Sequence, residues 1–311
     1  MRKLIALGLA CALGLGGQGS FQLILDFYPN PNHVPLYVAQ ELGFFREEGV
    51  EVELLVPSDP SAPAKLVAAR AVEMGLTPQM NLLIAVDEGL PLVAVAALID
   101  GALGGLLSLR EYGVERLEDL RGKRIGYSLE PLEPVLWRTM LATVGVGPEE
   151  FALVYTGMAT VPALLTRAVE AIGAFRNYEL LAVELLGHSP VFFPQEDYGV
   201  PNTYELLFVV HPALLEERPE EVRAVLRAVA RGVAFTRQNP DQAFRLFLRV
   251  FPELADELNR RSFAVTLPLY AENLRHHDGP RWTAMVAFLH STGMIRKPLP
   301  LEQLYTTAVL P

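Results

Sequence analysis

Short apolar runs of strand length alternate with amphipathic segments of helix length along most of the chain. Such alternation is typical of an α/β protein with mainly parallel sheets. A glycine-rich break at residues 101–105 separates two units of this kind, and the chain is almost entirely helical from Pro212 onward. The predicted strands lie at residues 23–27, 50–56, 74–77, 92–98, 123–128, 153–155, 170–174 and 206–210, and the predicted helices at residues 35–42, 62–70, 79–88, 134–144, 160–168, 177–186 and 219–238. We therefore expect two α/β lobes followed by a helical C-terminal tail.

The turns after the predicted strands are the places where function is expected. In open α/β sheets, ligands bind beyond the carboxyl ends of the strands. In a two-lobed protein, turns of this kind border the cleft between the lobes. They lie at residues 26–33, 57–61, 77–81, 100–105, 127–131 and 175–179.

The turn at residues 26–33 contains two aromatic rings, Phe27 and Tyr28, and two short polar side chains, Asn30 and His33. Aromatic faces beside polar donors and acceptors suit a flat heteroaromatic ligand. In a second interpretation the two rings belong to the core, and the Pro and Asn residues only shape the turn. The residue pattern leaves both interpretations open.

The turn at residues 175–179 places an amide, Asn177, and a carboxylate, Glu179, beside Phe175 and Tyr178. A carboxylate in a cleft can accept two N–H hydrogen bonds from a heteroaromatic amine and its protonated ring nitrogen. In the alternative interpretation Asn177 caps the next helix and Glu179 stabilises the positive end of that helix. Both interpretations can hold together.

Other candidate sites are weaker. Ser58 and Asp59 follow a predicted strand, where they line the cleft or, together with Ser61, cap the next helix. His276 and His277 are neighbours on a predicted helix, so they point in different directions, and no second ligand cluster is evident. We therefore expect no metal site.

Composition and charge narrow the classes of function. The 311 residues are 51% apolar and 20% charged, which excludes a disordered, collagen-like or disulfide-scaffold protein. With 26 basic and 36 acidic residues the formal net charge is -10, so nucleic acid is excluded as a partner. No P-loop or G-x-S-x-G motif is present, and the pattern G-x-G-x-x-G occurs only at residues 14–19, inside the N-terminal segment described next. We expect no cofactor.

The N-terminal residues 1–20 have the pattern of a secretory signal peptide: Arg2 and Lys3, an apolar run, and then small residues. We expect residues 1–19 to be removed by cleavage after Gly19, and the protein to be periplasmic or otherwise extracytoplasmic. A second interpretation makes Cys11, the one cysteine of the sequence, a lipid-anchored N-terminus. No later segment supplies the roughly 18 uninterrupted apolar residues that a membrane span needs.

Several segments resemble the pyrimidine-precursor binding proteins of bacterial ABC transporters, which collect hydroxymethylpyrimidine or formylaminopyrimidine for thiamine synthesis and salvage. The segments keep the family's order over roughly residues 21–250. They are DFYPNPNH at 26–33, LYVA at 36–39, GFFREEGV at 43–50, PSDPSAP at 57–63, DLRGKRIGYS at 119–128 and GAFRNYEL at 173–180. The first and the last of these segments are the most specific.

The resemblance implies a two-lobed periplasmic-binding-protein fold of type II with the ligand cleft between the lobes. One lobe would combine residues 20–106 and 208–311, and the other would hold residues 107–207. Phe27, where the family usually has Trp, and Tyr28 would stack on the ligand, Asn30 would donate hydrogen bonds, and Glu179 would contact its amino edge. The other candidate ligand contacts are His33, Ser58, Asp59, Gln79, Tyr127 and Asn177.

From the resemblance we expect the solute-binding component of an ABC importer that captures a thiamine pyrimidine precursor and is not an enzyme. Its partners would be a permease and the ATPase of that permease, and the protein would be a monomer. One alternative is a binding protein of the same fold for a sulfonate, nitrate or riboflavin. An anion would need a cationic side chain, and Arg176 is the only Arg or Lys in the turns listed above.

A second alternative is an enzyme, because a sister branch of the family contains the fungal enzyme that makes the pyrimidine phosphate with pyridoxal phosphate, iron, and an active-site lysine and histidine. The segment MGLTPQMN at residues 74–81 resembles the region of that lysine and histidine. It has Thr77 at the position of the lysine and Asn81 at the position of the histidine. No Schiff base can form at Thr77. This departure favours binding over catalysis.

Overall fold

The computed structural model describes residues 19–59 and 61–311. Most of the predicted signal peptide, including Cys11, lies outside these residues. The described chain contains two five-stranded sheets covered by helices, so the predicted α/β class is confirmed. Within it, no helix is both long and apolar enough to cross a membrane.

The first sheet has the strand order β2-β1-β3-β10-β4, and the second has the order β7-β6-β8-β5-β9. The strands are β1 Phe21–Ile24, β2 Val52–Leu55, β3 Met74–Thr77, β4 Val93–Asp100, β5 Gly104–Leu109, β6 Arg124–Tyr127, β7 Ala152–Tyr155, β8 Ala171–Phe175, β9 Pro190–Pro194 and β10 Tyr204–Val210. The helices are α1 Val34–Glu41, α2 Phe44–Glu47, α3 Ala62–Ala68, α4 Gln79–Asp87, α5 Leu132–Thr143, α6 Thr160–Leu165, α7 Glu179–Leu185, α8 Pro212–Glu217, α9 Pro219–Gln238, α10 Pro240–Val250, α11 Glu257–Thr266 and α12 Gly279–Ser291. A short 3-10 helix, Pro31–His33, precedes α1.

The sheets are mixed rather than mainly parallel. β1 runs parallel to β2 and β3, and β6 runs parallel to β7 and β8. β10 is antiparallel to both of its neighbours, and so is β5. These two strands enter their sheets directly from the other sheet, without the crossover helix that a parallel connection requires. The sequence pattern, which shows only the alternation of strands and helices, does not contain this information.

The chain passes between the sheets twice, at residues 101–103 and at residues 195–203. These two crossings lie within a few residues of the predicted lobe boundaries at residues 106 and 208. We propose that they form the hinge between the two predicted lobes. The C-terminal helices pack mainly on the first sheet, where α9 and α10 lie against α1.

The sequence analysis did not predict two strands of the second sheet. β5 begins with Gly104 and Gly105, which the pattern assigned to a break between units. A Cβ at residue 105 would lie 2.3 Å from the carbonyl oxygen of Phe193, so the close approach of β9 excludes any larger residue there. β9 begins and ends with proline, and it is an edge strand, where the missing N–H is tolerated.

The interior strand β10 is apolar over residues 206–210 because both of its faces are covered. Leu206, Phe208 and Val210 join one hydrophobic cluster, and Leu207 and Val209 join the other. Successive side chains of a strand point to opposite faces, so a strand covered on both sides has a continuous apolar run. The second crossing leads directly into β10, so the chain re-enters the first sheet at a strand that is covered on both faces.

Candidate functional site

Exposed apolar side chains are concentrated at the carboxyl ends of the parallel strands in each sheet. Ten large apolar side chains are exposed among the described residues. Seven of them lie at or just beyond the carboxyl ends of the parallel strands β1, β2, β6, β7 and β8: Tyr28, Val56, Leu129, Tyr155, Met158, Phe175 and Tyr178. Clustered exposed apolar surface marks binding sites more often than chance. The turns beyond these strand ends, which the sequence analysis singled out, are therefore the candidate ligand surface.

We call residues 26–33 the β1 turn. Asn30 accepts a hydrogen bond from the Asn32 N–H at 2.8 Å through its side-chain oxygen, and donates one to the Tyr28 carbonyl at 2.9 Å. His33 is buried; its Nδ1 accepts the Asn30 N–H at 3.2 Å, so the proton is on Nε2, which donates to Asp26 Oδ1 at 2.8 Å. Both side chains therefore shape the turn, as the second interpretation expected.

The two aromatic rings of the β1 turn are not core residues. Their centroids are 5.2 Å apart with an interplanar angle of 79°, an edge-to-face contact. The Tyr28 side chain is 62% exposed, and Phe27 is half-buried. The hydrogen bonds of Asn30 and His33 hold the turn that presents Tyr28 to solvent. The expectation that the rings belong to the core is therefore wrong, whereas the expectation that the asparagines shape the turn agrees with these bonds.

We call residues 175–179 the β8 turn. The Asn177 side chain does not cap α7; its Nδ2 donates to Asn32 Oδ1 of the β1 turn at 2.9 Å and to Thr266 Oγ1 at the end of α11 at 2.9 Å. Asn177 is buried. This side chain joins the β1 turn, next to the first sheet, to the β8 turn, next to the second. The two turns that the sequence analysis selected therefore lie together.

Two carboxylates, those of Glu179 and Glu133, lie beside the β8 turn on the side of the second sheet. Glu179, in the first turn of α7, accepts the Phe175 N–H at 2.8 Å. Burial raises the pKa of Glu179, and the carboxylate of Glu133 adds a smaller rise, against the lowering effect of the Phe175 N–H. Glu179 is partly exposed, and it belongs to the same turn as the exposed rings of Phe175 and Tyr178. Such a carboxylate gains strongly from charge-assisted N–H donors.

Glu133 is a candidate site residue that the sequence analysis missed. It lies in the first turn of α5 and accepts the backbone N–H groups of Ser128 and Leu129 at 2.6 and 3.2 Å. Burial raises the pKa of Glu133. The only sign of it in the sequence is a glutamate two residues beyond the turn at 127–131. A glutamate at that position is also explained by the favourable interaction of a negative charge with the N-terminus of a helix.

A third buried carboxylate, Glu205, lies where the second crossing enters β10. Its Oε2 accepts the Leu103 N–H of the first crossing at 2.8 Å, so this contact joins the two crossings. Burial raises the pKa of Glu205 to about 7, the charges of Asp26 and Glu196 raise it further, and the Leu103 N–H and the charge of Arg176 oppose the rise. Sequence reasoning missed Glu205 because its charge gave no sign of burial.

Arg176, the cation considered for an anionic ligand, is already paired. Its guanidinium forms an ion pair with Glu196, and its backbone N–H donates to the Leu103 carbonyl at 3.0 Å. The guanidinium also lies 5.6 Å from the ring centroid of Phe192. Among the nearby carboxylates, that of Glu205 is close enough for the charge of Arg176 to lower its pKa.

The remaining candidates differ in position. Gln79 is fully buried at the start of α4, and its oxygen binds the second crossing. Tyr127 packs against Tyr155 with ring centroids 5.5 Å apart. Ser58 and Asp59 are exposed, and the Asp59 side chain accepts the Ser61 N–H at 2.7 Å, a local turn that lowers the pKa of Asp59.

The histidine pair does not form a metal centre. His276 is buried, and its Nε2 lies 3.0 Å from the Thr306 carbonyl oxygen. Asp278 caps α12 by accepting the Arg281 N–H. Within residues 19–59 and 61–311 no three His, Cys, Asp or Glu side chains are grouped to hold a metal ion.

Comparisons with known proteins agree with the expected resemblance. The family model described as NMT1/THI5 like matches residues 30–243, more than half of the chain. A thiamine biosynthesis protein of Haemophilus influenzae is 36% identical over 96% of this chain and 95% of its own length. The formylaminopyrimidine-binding protein of Halalkalibacterium halodurans is 29% identical over 92% of this chain and 89% of its own length.

Two further similarities bear on the fold and on the enzyme alternative. The 4-amino-5-hydroxymethyl-2-methylpyrimidine phosphate synthase of Legionella pneumophila is 29% identical over 93% of this chain and 92% of its own length. Among solved structures, the periplasmic aliphatic sulphonate binding protein of Escherichia coli superposes with a TM-score of 0.71 over 92% of each chain at 14% identity. The latter similarity shows the periplasmic-binding-protein fold, in agreement with the expected architecture.

Proposed function

Since the chain belongs to the NMT1/THI5-like family, we propose that it is the extracytoplasmic solute-binding component of an ABC importer and captures hydroxymethylpyrimidine or formylaminopyrimidine. The observation that carries this proposal is that the hydrogen bond from Asn177 to Asn32 brings the β8 turn, with the carboxylate of Glu179 and two exposed aromatic rings, against the β1 turn. A permease and its ATPase would be the partners, and a monomer would be sufficient for capture.

In the proposed complex the pyrimidine ring stacks on the exposed ring of Tyr28, which Phe27 supports edge-on, and the amino edge of the ligand donates to Glu179. The half-buried Phe27 and the exposed Tyr28 supply apolar area at low conformational cost. Asn30 contributes by fixing the β1 turn, because both ends of its amide are already bonded within that turn. Hinge motion at the two crossings would close the lobes over the ligand.

The charges around the site favour a neutral or cationic ligand over an anion. Arg176 is paired with Glu196, whereas the carboxylates of Asp26, Glu133 and Glu179 lie in or next to the β1 and β8 turns. A sulfonate or nitrate would be repelled by these carboxylates at close range in a medium of reduced dielectric constant. The sulphonate-binding structural neighbour shares the fold, and fold alone does not determine the ligand.

The side chains at residues 77 and 81 favour binding over catalysis. Thr77 is buried at the end of β3, and Asn81 lies in α4. Neither side chain can form the Schiff base or the imidazole chemistry that the resemblance assigns to the fungal synthase. We therefore propose a binding protein without enzymatic activity, although a Legionella pneumophila relative bears the name of the synthase.

Ligand titration tests the proposal. The purified protein is titrated with hydroxymethylpyrimidine, formylaminopyrimidine, thiamine, riboflavin, taurine and nitrate, and the midpoint of thermal unfolding is recorded. A ligand at a hundred times its dissociation constant adds about 2.7 kcal/mol of stability. We expect a shift with a pyrimidine and none with the anions. A shift with an anion or a flavin alone would overturn the assigned ligand class.

Substitution of Glu179 tests the proposed contact. We expect Glu179→Ala to abolish measurable binding by calorimetry and Glu179→Gln to weaken it less, because glutamine still accepts a hydrogen bond but carries no charge. Glu302→Ala, which removes an exposed carboxylate outside the cleft turns, is the matched control. If the affinity of Glu179→Ala stays within about threefold, a change of roughly 0.65 kcal/mol, the proposed pose is wrong.

A further inference from the structure

The side-chain amide of Gln79 has a fixed orientation. Its Oε1 accepts two hydrogen bonds from the second crossing: one from the Thr203 hydroxyl at 3.0 Å and one from the Tyr204 backbone N–H at 3.1 Å. A backbone N–H can only donate, so the atom facing Tyr204 must be the oxygen and the amide cannot be flipped. The Nε2 group therefore points away from the crossing in one defined direction.

This amide nitrogen has no hydrogen-bond partner in the described part of the chain, although the residue is fully buried. It has two N–H donors. Buried donors in folded proteins are nearly always paired, and leaving one unpaired costs free energy. The fold thus holds a pair of donors in place that a water molecule or a ligand oxygen can pair.

The position of Gln79 places these donors beside the proposed ligand site. α4 begins directly after β3, and β3 is the parallel neighbour of β1, so Gln79 and the β1 turn leave the same edge of the first sheet. Tyr204, bonded to Gln79, precedes Glu205, whose pKa responds to the charges of Asp26 in the β1 turn and Arg176 in the β8 turn. Gln79 therefore lies at the end of the cleft nearest the crossings.

We propose that Gln79 is a specificity-determining residue whose Nε2 donates to an uncharged oxygen on the ring substituent of the ligand, the hydroxyl of a hydroxymethyl group or the carbonyl of a formylamino group. This inference rests on the proposed function. Glu179 provides an acceptor and Gln79 provides donors, so the two residues together select a ring that has N–H groups on one side and an oxygen on the other. The nearby carboxylate of Asp26 disfavours a charged oxygen such as a phosphate.

The test compares two ligands on each protein variant by calorimetry: hydroxymethylpyrimidine, and its analogue in which a methyl group replaces the hydroxymethyl group. The measured quantity is the ratio of the two affinities within one variant. This ratio is insensitive to a general loss of stability. We expect the wild type to prefer the hydroxymethyl ligand at least tenfold, and Gln79→Met, which is similar in size and has no donor, to reduce the ratio to less than threefold.

Two further variants separate recognition from structural support. Thr203→Val removes one bond to Oε1 but leaves Nε2 in place, so the tenfold preference should persist. Gln79→Leu also lacks a donor and serves if Gln79→Met does not fold; it should also reduce the preference. A purely structural role for Gln79 would weaken both ligands equally and leave the ratio unchanged.

The outcomes distinguish this inference from the proposed function. If the wild type binds both ligands equally, or if the Gln79 variants keep the tenfold preference, the role of Gln79 is wrong while the pyrimidine assignment stands. If the wild type binds neither ligand nor formylaminopyrimidine, the proposed function fails, and the inference fails with it.

Discussion

Replacing Glu205 by glutamine should remove a pH dependence of the folding stability that arises at the crossings. Glu205 is buried, and its Oε2 accepts the Leu103 N–H at 2.8 Å. Glutamine has nearly the same shape and keeps an oxygen for that N–H, so the substitution changes the charge and little else. Burial raises the pKa of Glu205 to about 7, with further contributions from Asp26 and Glu196 that raise it and from Leu103 and Arg176 that lower it.

The sign and size of the effect follow from the raised pKa. The ordinary pKa of a glutamate is 4.5, and that of Glu205 in the folded protein is about 7. Between these two pH values the folded protein keeps the carboxyl proton of Glu205, and the unfolded chain releases it. Stability therefore falls as the pH rises through this window, and the loss is complete above pH 7. A shift of that width corresponds to a loss on the order of 3 kcal/mol.

Urea unfolding of the wild type and Glu205→Gln at several pH values between 4.5 and 8 measures this effect. The difference between the two free energies of unfolding cancels the titration of all other carboxylates. It should shift in favour of the variant by up to about 3 kcal/mol as the pH rises to 8. Glu302→Gln, at an exposed carboxylate, should show no such trend. A difference for Glu205→Gln that is constant with pH would refute the reasoning.

Two further predictions concern the contact between the turns and the close approach of two strands. Asn177→Ala removes the bonds to the β1 turn and to Thr266, so it should speed ligand dissociation about tenfold or more in stopped-flow measurements; an unchanged rate would show that the bonds play no part in holding the ligand. Gly105→Ala should lower stability by several kcal/mol in urea unfolding, because its Cβ would lie 2.3 Å from the Phe193 carbonyl oxygen. Gly147→Ala is the control, since its Cβ would meet only a carboxylate oxygen at 3.4 Å; equal effects at both positions would contradict the argument.

The sequence predicted those elements whose pattern is determined locally. The strand Met74–Thr77 and the helix Pro219–Gln238 match the predicted bounds. β5 and β9 were missed because a glycine pair and two prolines are ordinarily signals of a break. β5 and β9 lie far apart in the chain, and their place in the second sheet depends on their pairing with each other. A local sequence pattern does not record such a pairing.

The candidate site was predictable in its location and only partly in its chemistry. The turns at 26–33 and 175–179 lie together, as the expected cleft requires, and Glu179 is beside exposed rings. The sequence could not show that Asn177 bridges the two turns rather than capping α7, since both uses place an asparagine at the same position. Glu133 and Glu205 were missed because a glutamate's burial depends on tertiary packing, and a helix N-terminus already accounts for one of them.

The three raised carboxyl pKa values point to one property of the cleft. Burial raises the pKa of Glu133, Glu179 and Glu205, and the backbone N–H groups that each accepts lower it without cancelling that rise. Each carboxylate therefore has fewer donors than its loss of hydration requires. A ligand with N–H groups supplies donors at Glu179, and an anion supplies none and adds repulsion. If the proposed function holds, an aminopyrimidine that donates to Glu179 would relieve part of this shortage, and its binding free energy would include that gain.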